Sequence, residues 1–318
     1  MNRALLPALL LLSLIWGGSY YFIKVLVHDF GPWTIVFLRS ALGLAAIALI
    51  MGLTRQPLPW RRMPWLYLGT TALVNMAIPW AIIGYCETRI MSSLASILNA
   101  TTPLFSLLLG ILFFGGKSRR PQAIGLTAAM AGVVVLLGYQ GGSSFDALGT
   151  IGMLIASLFY GLGSQLTRRW LSPLTAYQSA FGTLFFAMLG SGGAAFATES
   201  LSLSPLTVPA NAAALAGLGI GGSGIAYILF YWIVKRGGPV YATMVTYLIP
   251  VSSLAWGSLL LQEEIRWNMI LGLGLILGGV YMAGRIGRAG SQEPSNQASL
   301  SNLTPLSISD KETPAKPI

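Results

Sequence analysis

Two short glycine-rich stretches hold residue types that chemistry uses. "GGKS" at 115–118 ends like a phosphate-cradling loop, but that loop needs glycine where Ile111 stands. It also needs a strand in front, and an apolar helical run precedes it here. "GIGGSG" at 219–224 has the glycine spacing of a dinucleotide-binding turn. It sits inside a long apolar run with no strand before it, where small residues serve close helix packing. Within it, Ser223 could be a nucleophile only with a base in hydrogen-bond reach. The sole histidine, His28, lies at the end of a different apolar run. A single cysteine, Cys86, leaves neither an intramolecular disulfide nor a cysteine-based metal site. No catalytic residue, cofactor or metal is expected.

The residue types left over bind rather than react. Arg39 stands about 9 Å along an apolar helix, at 1.5 Å per residue. A charge at that depth costs about 2.5–3.5 kcal/mol unless it is paired or reaches the surface. One reading makes Arg39 a carboxylate-binding or gating cation, and the other lets it snorkel outward. Polar and aromatic residues placed near mid-membrane on the central helices are cavity candidates. They are Trp16, Tyr20, Asn75, Trp80, Asn99, Thr102, Tyr160, Ser223, Tyr227 and Thr246. Thr101, Gln165, Thr243 and Tyr247 qualify on the same grounds. For the aromatics, core packing or an interface belt is the alternative. For the asparagines it is hydrogen bonding between helices, worth about 1 kcal/mol. Lys24, near a helix end, reads as an interfacial residue.

These residues need helices to carry them, and the composition says where. Of the 318 residues 54% are hydrophobic and 9% charged, against about 25% charged in soluble domains. Such a chain cannot cover a globule with polar surface, so it is read as an all-α integral membrane protein. Ten apolar runs approach the roughly 20 residues that span a bilayer. They cover 5–26, 33–53, 64–85, 91–114, 121–139, 147–167, 174–197, 209–234, 239–261 and 267–285. The first is read as retained rather than cleaved, because "IWGGSYY" makes a poor small-residue cleavage site. With the N-terminus in the cytoplasm, most of the lysines and arginines fall at cytoplasmic ends. Asp29, Glu87, Asp146, Glu199, Glu263 and Glu264 fall at the outer ends. This is the positive-inside pattern. It makes the net charge of +10 a topology signal, not a nucleic-acid footprint. From 287 to 318 the chain turns rich in Ser, Pro and Asn and reads as a disordered cytoplasmic tail.

Sliding the chain on itself by 147 positions brings Pro103 onto Pro250, Ser106 onto Ser253 and Gly110 onto Gly257. Gly125 and Gly132 meet Gly272 and Gly279 without a gap. The chain is therefore read as two five-helix repeats, 1–140 and 141–286. Five is odd, so the second repeat enters the membrane from the opposite side. That inverted arrangement is the architecture of secondary transporters, and it supplies alternating access through symmetry. Pro103 and Pro250 are the paired hinges. Each lacks the N–H that would bond four residues back, at Asn99 and Thr246. Irregular backbone at membrane depth is tolerated where it lines a cavity.

The stretches "SLIWGGSYY", "FLRSALG", "LNATTPLFSLLLG" and "YLIPVSSLAWGSLLLQEEIRWNMILGLGLILGGVYMAG" together resemble the ten-helix, EamA-type members of the drug/metabolite transporter superfamily. In that family a glutamate often ends the fourth helix, where Gly116-Lys117 stands here. The resemblance implies export or exchange of small metabolites, amino acids among them.

The expected protein is thus a secondary transporter in a bacterial-type inner membrane, with both termini cytoplasmic. Its partners are a small-molecule substrate and membrane lipid, without nucleic acid, and a monomer suffices. Efflux of drugs or cations is the alternative within transport, and a lipid-handling or structural role lies outside it. The acids and the histidine all fall at outer ends, so exchange without obligatory proton coupling is expected. Glu87 is the nearest candidate for a proton-carrying acid, and a salt bridge to its neighbour Arg89 is the plainer reading. Topology is testable with single cysteines in a Cys86→Ser background. Cysteines at Asp146 and Glu199 should label from outside, and those at Arg62, Arg119 and Arg169 only from the cytoplasm. Outside labelling at position 169 would break the inverted-repeat reading.

Overall fold

The computed structural model describes residues 4–115, 120–138, 146–242 and 244–288. The tail from 289, the boundary at 140/141 and Thr243 lie outside the described residues. Among those described, the regular elements are all helical. They are α1 (Leu5–Leu26), α2 (Pro32–Leu53), α3 (Trp65–Ala72), α4 (Ile78–Glu87), α5 (Ser92–Asn99), α6 (Thr102–Phe113) and α7 (Arg120–Gly138). The second part of the chain supplies α8 (Ala147–Trp170), α9 (Ala176–Thr198), α10 (Pro209–Ala216), α11 (Ala226–Ala242), α12 (Val245–Leu260) and α13 (Trp267–Arg288). A π-helical segment, Leu73–Ala77, joins α3 to α4, and another, Gly217–Ile225, joins α10 to α11. Seven described segments are long and apolar enough to cross a membrane, and Ala123–Leu137, Val245–Leu260 and Trp267–Met282 are shorter apolar helices. Large apolar side chains such as Leu53, Leu66, Phe113, Phe196 and Leu259 face outward. Lipid is the solvent in which that costs nothing.

Helix ends with acidic residues gather on one face. Glu199, at the end of α9, accepts from the Trp33 and Thr34 backbone N–H groups, each at 2.9 Å, at the start of α2. Glu263, just beyond α12, accepts from Ser92 N–H at 2.7 Å and Ser93 N–H at 3.0 Å at the start of α5. Each carboxylate thus satisfies free N–H groups at a helix N-terminus and meets the positive end of its dipole. On the same face Asn211 donates to Asp29 at 2.7 Å, and Arg89 pairs with Asp146 at 2.9 Å. The Arg89 hydrogen bond first, and the Gly149 N–H second, hold the Asp146 carboxyl below its ordinary value. That contribution is present above the ordinary carboxylate range and fades as pH falls through the lowered value. At the opposite, basic face Tyr67 stacks on Trp170, and Gln178 donates to the Pro57 carbonyl at 3.1 Å.

The structure departs from the sequence reading at three places. The ninth apolar run was expected at 239–261, but α11 continues to Ala242 and α12 starts at Val245. The Gly237-Gly238 pair disfavours helix by only about 1 kcal/mol per residue, which does not end one. Pro103 does not kink a continuous helix. The chain breaks at Ala100–Thr101, and Pro103 takes a first-turn position of α6, where its missing N–H is harmless. Of the two expected hinges, Pro250 alone lies in a helix interior. Arg89 bonds Asp146 and not Glu87, whose carboxylate is wholly buried.

The α7–α13 pair is packed backbone to backbone. A β-carbon at Gly132 would lie 2.8 Å from the Gly272 carbonyl oxygen, and one at Gly272 would lie 3.0 Å from that of Gly132. One at Gly279 would strike the Gly125 carbonyl. Gly132→Ala should therefore lower the thermal midpoint in detergent, at an overpacking cost of about 1–3 kcal/mol. Gly274→Ala, where an added β-carbon meets nothing within 4 Å, should leave it unchanged. Equal midpoints for both variants would refute the close packing.

Candidate functional site

α1, α2, α4, α5, α6, α8, α11, α12 and α13 enclose a cavity of about 450 Å³. Its lining starts about one turn inside the acidic face, at Ile23, Ile83 and Ser96, and reaches Ser164, Phe230 and Val245 toward the basic face. The sequence-selected residues Trp16, Tyr20, Arg39, Asn75, Trp80, Asn99, Thr102, Tyr160, Tyr227 and Thr246 all line it, as do Tyr247, Pro103 and Pro250.

Ser223, Thr101 and Gln165 do not. Ser223 is wholly buried behind Arg39 and receives its guanidinium through Nε at 3.3 Å and Nη2 at 3.2 Å. Its own hydroxyl donates to the Leu218 carbonyl at 3.3 Å. His28 is exposed in the turn after α1. Thr101 Oγ1 turns back onto the Leu98 carbonyl at 2.6 Å, and Gln165 Nε2 donates to the Ser106 carbonyl at 2.8 Å.

Local backbone explains how the polar groups arrive. Asn75 sits on the first π segment, and the second presents Gly222 to the cavity and Ser223 to Arg39. Shifting Leu73–Ala77 by 147 places lands it within Gly217–Ile225. A π turn inserts one residue into the helical register and re-aims those that follow, a device frequent at functional sites. The glycine-rich run Gly217–Ile225 was the legible signal, though it was read as helix packing. Trp16 Nε1 donates to the Gly222 carbonyl at 3.2 Å, and the Trp16 ring meets Tyr227 edge-on, with centroids 6.1 Å apart. On the other side of the cavity, at the α5–α6 break, Asn99 Oδ1 accepts from Thr102 at 3.3 Å and Ser157 at 3.4 Å. The Tyr20 phenol also meets this side chain.

Arg39 dominates the electrostatics. It is 6% exposed, and its guanidinium carbon stands 3.6 Å from the centre of the Trp80 ring. Tyr20, Tyr160 and Tyr227 surround it. Among the described residues no carboxylate lies within ion-pair distance, and Arg39 is the one charged side chain in the lining. A desolvated cation–π contact contributes about 2 kcal/mol, comparable to the cost of holding the charge at this depth. The cation is therefore held in place without being neutralised, and a ligand anion can meet it.

The lining also includes Ser19, Ser96, Ser164 and Phe230, which the sequence reading missed. Each lies three or four residues from a residue it did select, on the same helical face: Trp16, Asn99, Tyr160 and Tyr227 respectively. Helical spacing alone would have found them.

This geometry has relatives. An uncharacterized inner membrane transporter of Escherichia coli K12, YedA, is 28% identical over 287 residues, covering 88% of this chain and 91% of its own. A probable amino-acid metabolite efflux pump of the same organism is 27% identical over 293 residues, covering 86% and 92%. An uncharacterized transporter of Archaeoglobus fulgidus is 27% identical over 298 residues, covering 89% and 98%. One solved crystal structure shares the fold, with a TM-score of 0.64 at 19% identity over 91% of this chain and 99% of the other. The profile of the EamA-like transporter family matches residues 4–138 and again 147–285, and this chain belongs to that family.

Proposed function

We infer that the protein is a secondary transporter that exports or exchanges small anionic or zwitterionic metabolites, amino acids in particular, by alternating access. The observation that carries this reading is Arg39: a buried, fixed and uncompensated cation on the wall of a metabolite-sized cavity. A substrate carboxylate would supply the missing charge, while Asn75, Asn99 and the phenols would take the rest of a polar ligand. Efflux of cations is disfavoured by the same residue. The printed function of the efflux-pump relative points in the same direction.

Ten spans in two inverted repeats are the architecture proposed for this work. The packing of α7 on α13 supports it, because exchanging its contact glycines for their mates 147 positions away returns the same approach. Gly132 against Gly272 becomes Gly279 against Gly125, and both approaches occur. In the orientation read from the charges, the acidic face is external and closed, while the cavity extends toward the cytoplasm for loading. A single copy is the proposed working unit.

The test uses purified protein in liposomes loaded with a radiolabelled mixture of amino acids. Arg39→Ala should reduce efflux of the free acids at least tenfold and leave amidated analogues less affected. Arg39→Lys should restore little, since lysine lacks the planar two-pronged donor geometry and the flat stacking on Trp80. Equal loss for acids and amides, with normal protein abundance, would overturn carboxylate recognition.

A further inference from the structure

Above the cavity, one turn from its lining residue Ile83, lies Glu87, the last residue of α4. It is 0% exposed, and neither carboxylate oxygen has a hydrogen-bond partner. Its sequence neighbour Arg89 is committed to Asp146 on the surface. The site described above does not use Glu87.

The groups that face it come from every side. From α1, Lys24 Nζ spends two of its hydrogens on the backbone carbonyls of Glu87 and Ile90, at 2.5 and 2.9 Å. Tyr20, one turn deeper on α1, and Arg39 on α2 act on it from the cavity side. Beyond α12, Glu263 acts on it while capping α5. On α8, Asp146 at the helix cap is held by Arg89. A buried carboxylate with no hydrogen bond to either oxygen is costly to hold as the anion.

We propose that Glu87 is the proton-carrying group of the transport cycle, buried as the neutral acid while the acidic face is closed. This rests on the transporter reading above. The α4–α5 connection, α1 and the segment after α12 form the seal over Glu87. When that seal opens, water reaches the group and the carboxylate is stable as the anion. To close again, it must take a proton from water on the acidic side. As substrate loads from the other side, the acid gives that proton to water in the cavity, one turn away, which frees the seal to open. One proton thus moves from the acidic face to the basic face as one substrate moves the other way. Glu87 begins each cycle as the acid and regains its proton from the acidic side, so the charge balance closes.

Two measurements test this. Dicyclohexylcarbodiimide attacks protonated carboxyls in apolar surroundings, and mass spectrometry locates the adduct. It should label Glu87, less as pH rises, and should not label Glu87→Gln at that position. This needs no substrate, so it stands or falls separately from the amino-acid reading. In the second, liposomes clamped at zero membrane potential hold the radiolabelled amino-acid mixture at equal concentration on both sides. The wild type should accumulate label several-fold in the more acidic compartment. Glu87→Gln should lose that accumulation yet keep label exchange at uniform pH. Absence of labelling at Glu87 at every pH would overturn the proposal. So would equal proton-driven accumulation by both proteins, or accumulation by the wild type that follows a sodium gradient instead.

Discussion

A helix in lipid has no water to fall back on, so every break in its hydrogen-bond ladder must be repaired from within the protein. The polar side chains of this chain are spent largely on that repair. Glu199 and Glu263 close the N-termini of α2 and α5, and Lys24 closes the carbonyl end of α4. Further ties need no break: Ser252 and Trp256 of α12 donate to the carbonyls of Ser13 and Leu14 inside α1. Asn268 of α13 donates to that of Leu136 on α7. Each of these contacts is also a tie between helices, because the partner comes from a different element. Bundle cohesion and backbone satisfaction are therefore one problem with one set of contacts.

Where the ladder is interrupted without a full repair, the cavity lies. The π segments and the α5–α6 break all border it, and Trp16 bonds a carbonyl of one of them. Irregular backbone needs polar surroundings, and a substrate-sized cavity supplies them. The same constraint explains why Pro103 takes the first turn of α6, where no helix bond is lost, while Pro250 remains within α12 beside the cavity.

Two charged groups are buried at different depths, and they behave differently. Arg39 is held by an aromatic face and a hydroxyl, and faces the cavity. Glu87 faces neither the cavity nor a donor, and sits in the seal above it. A permanent cation suits ligand recognition, since its charge does not change between states. A carboxylate suits a role in which charge must appear and vanish with hydration. The proposals for the two residues follow from that contrast.

Most of this was legible along the chain. Apolar runs, the segregation of basic and acidic ends and the recurrence at 147 positions are local patterns, set by lipid and by the duplicated sequence. The polar residues that line the cavity were readable by type and depth, because apolar runs leave few of them. Three things needed the tertiary structure. The helical register could be shifted only by π turns, and a run such as Gly217–Ile225 permits several backbone paths until its neighbours choose one. Ser223 is polar and deep yet stands behind Arg39, because burial depends on what packs in front. The sequence leaves Glu87 open between a proton carrier and an ion pair with Arg89, because ion pairing is decided in three dimensions. Asp146, 57 positions further on, takes the arginine, and the glutamate next door is left in the dark of the bundle.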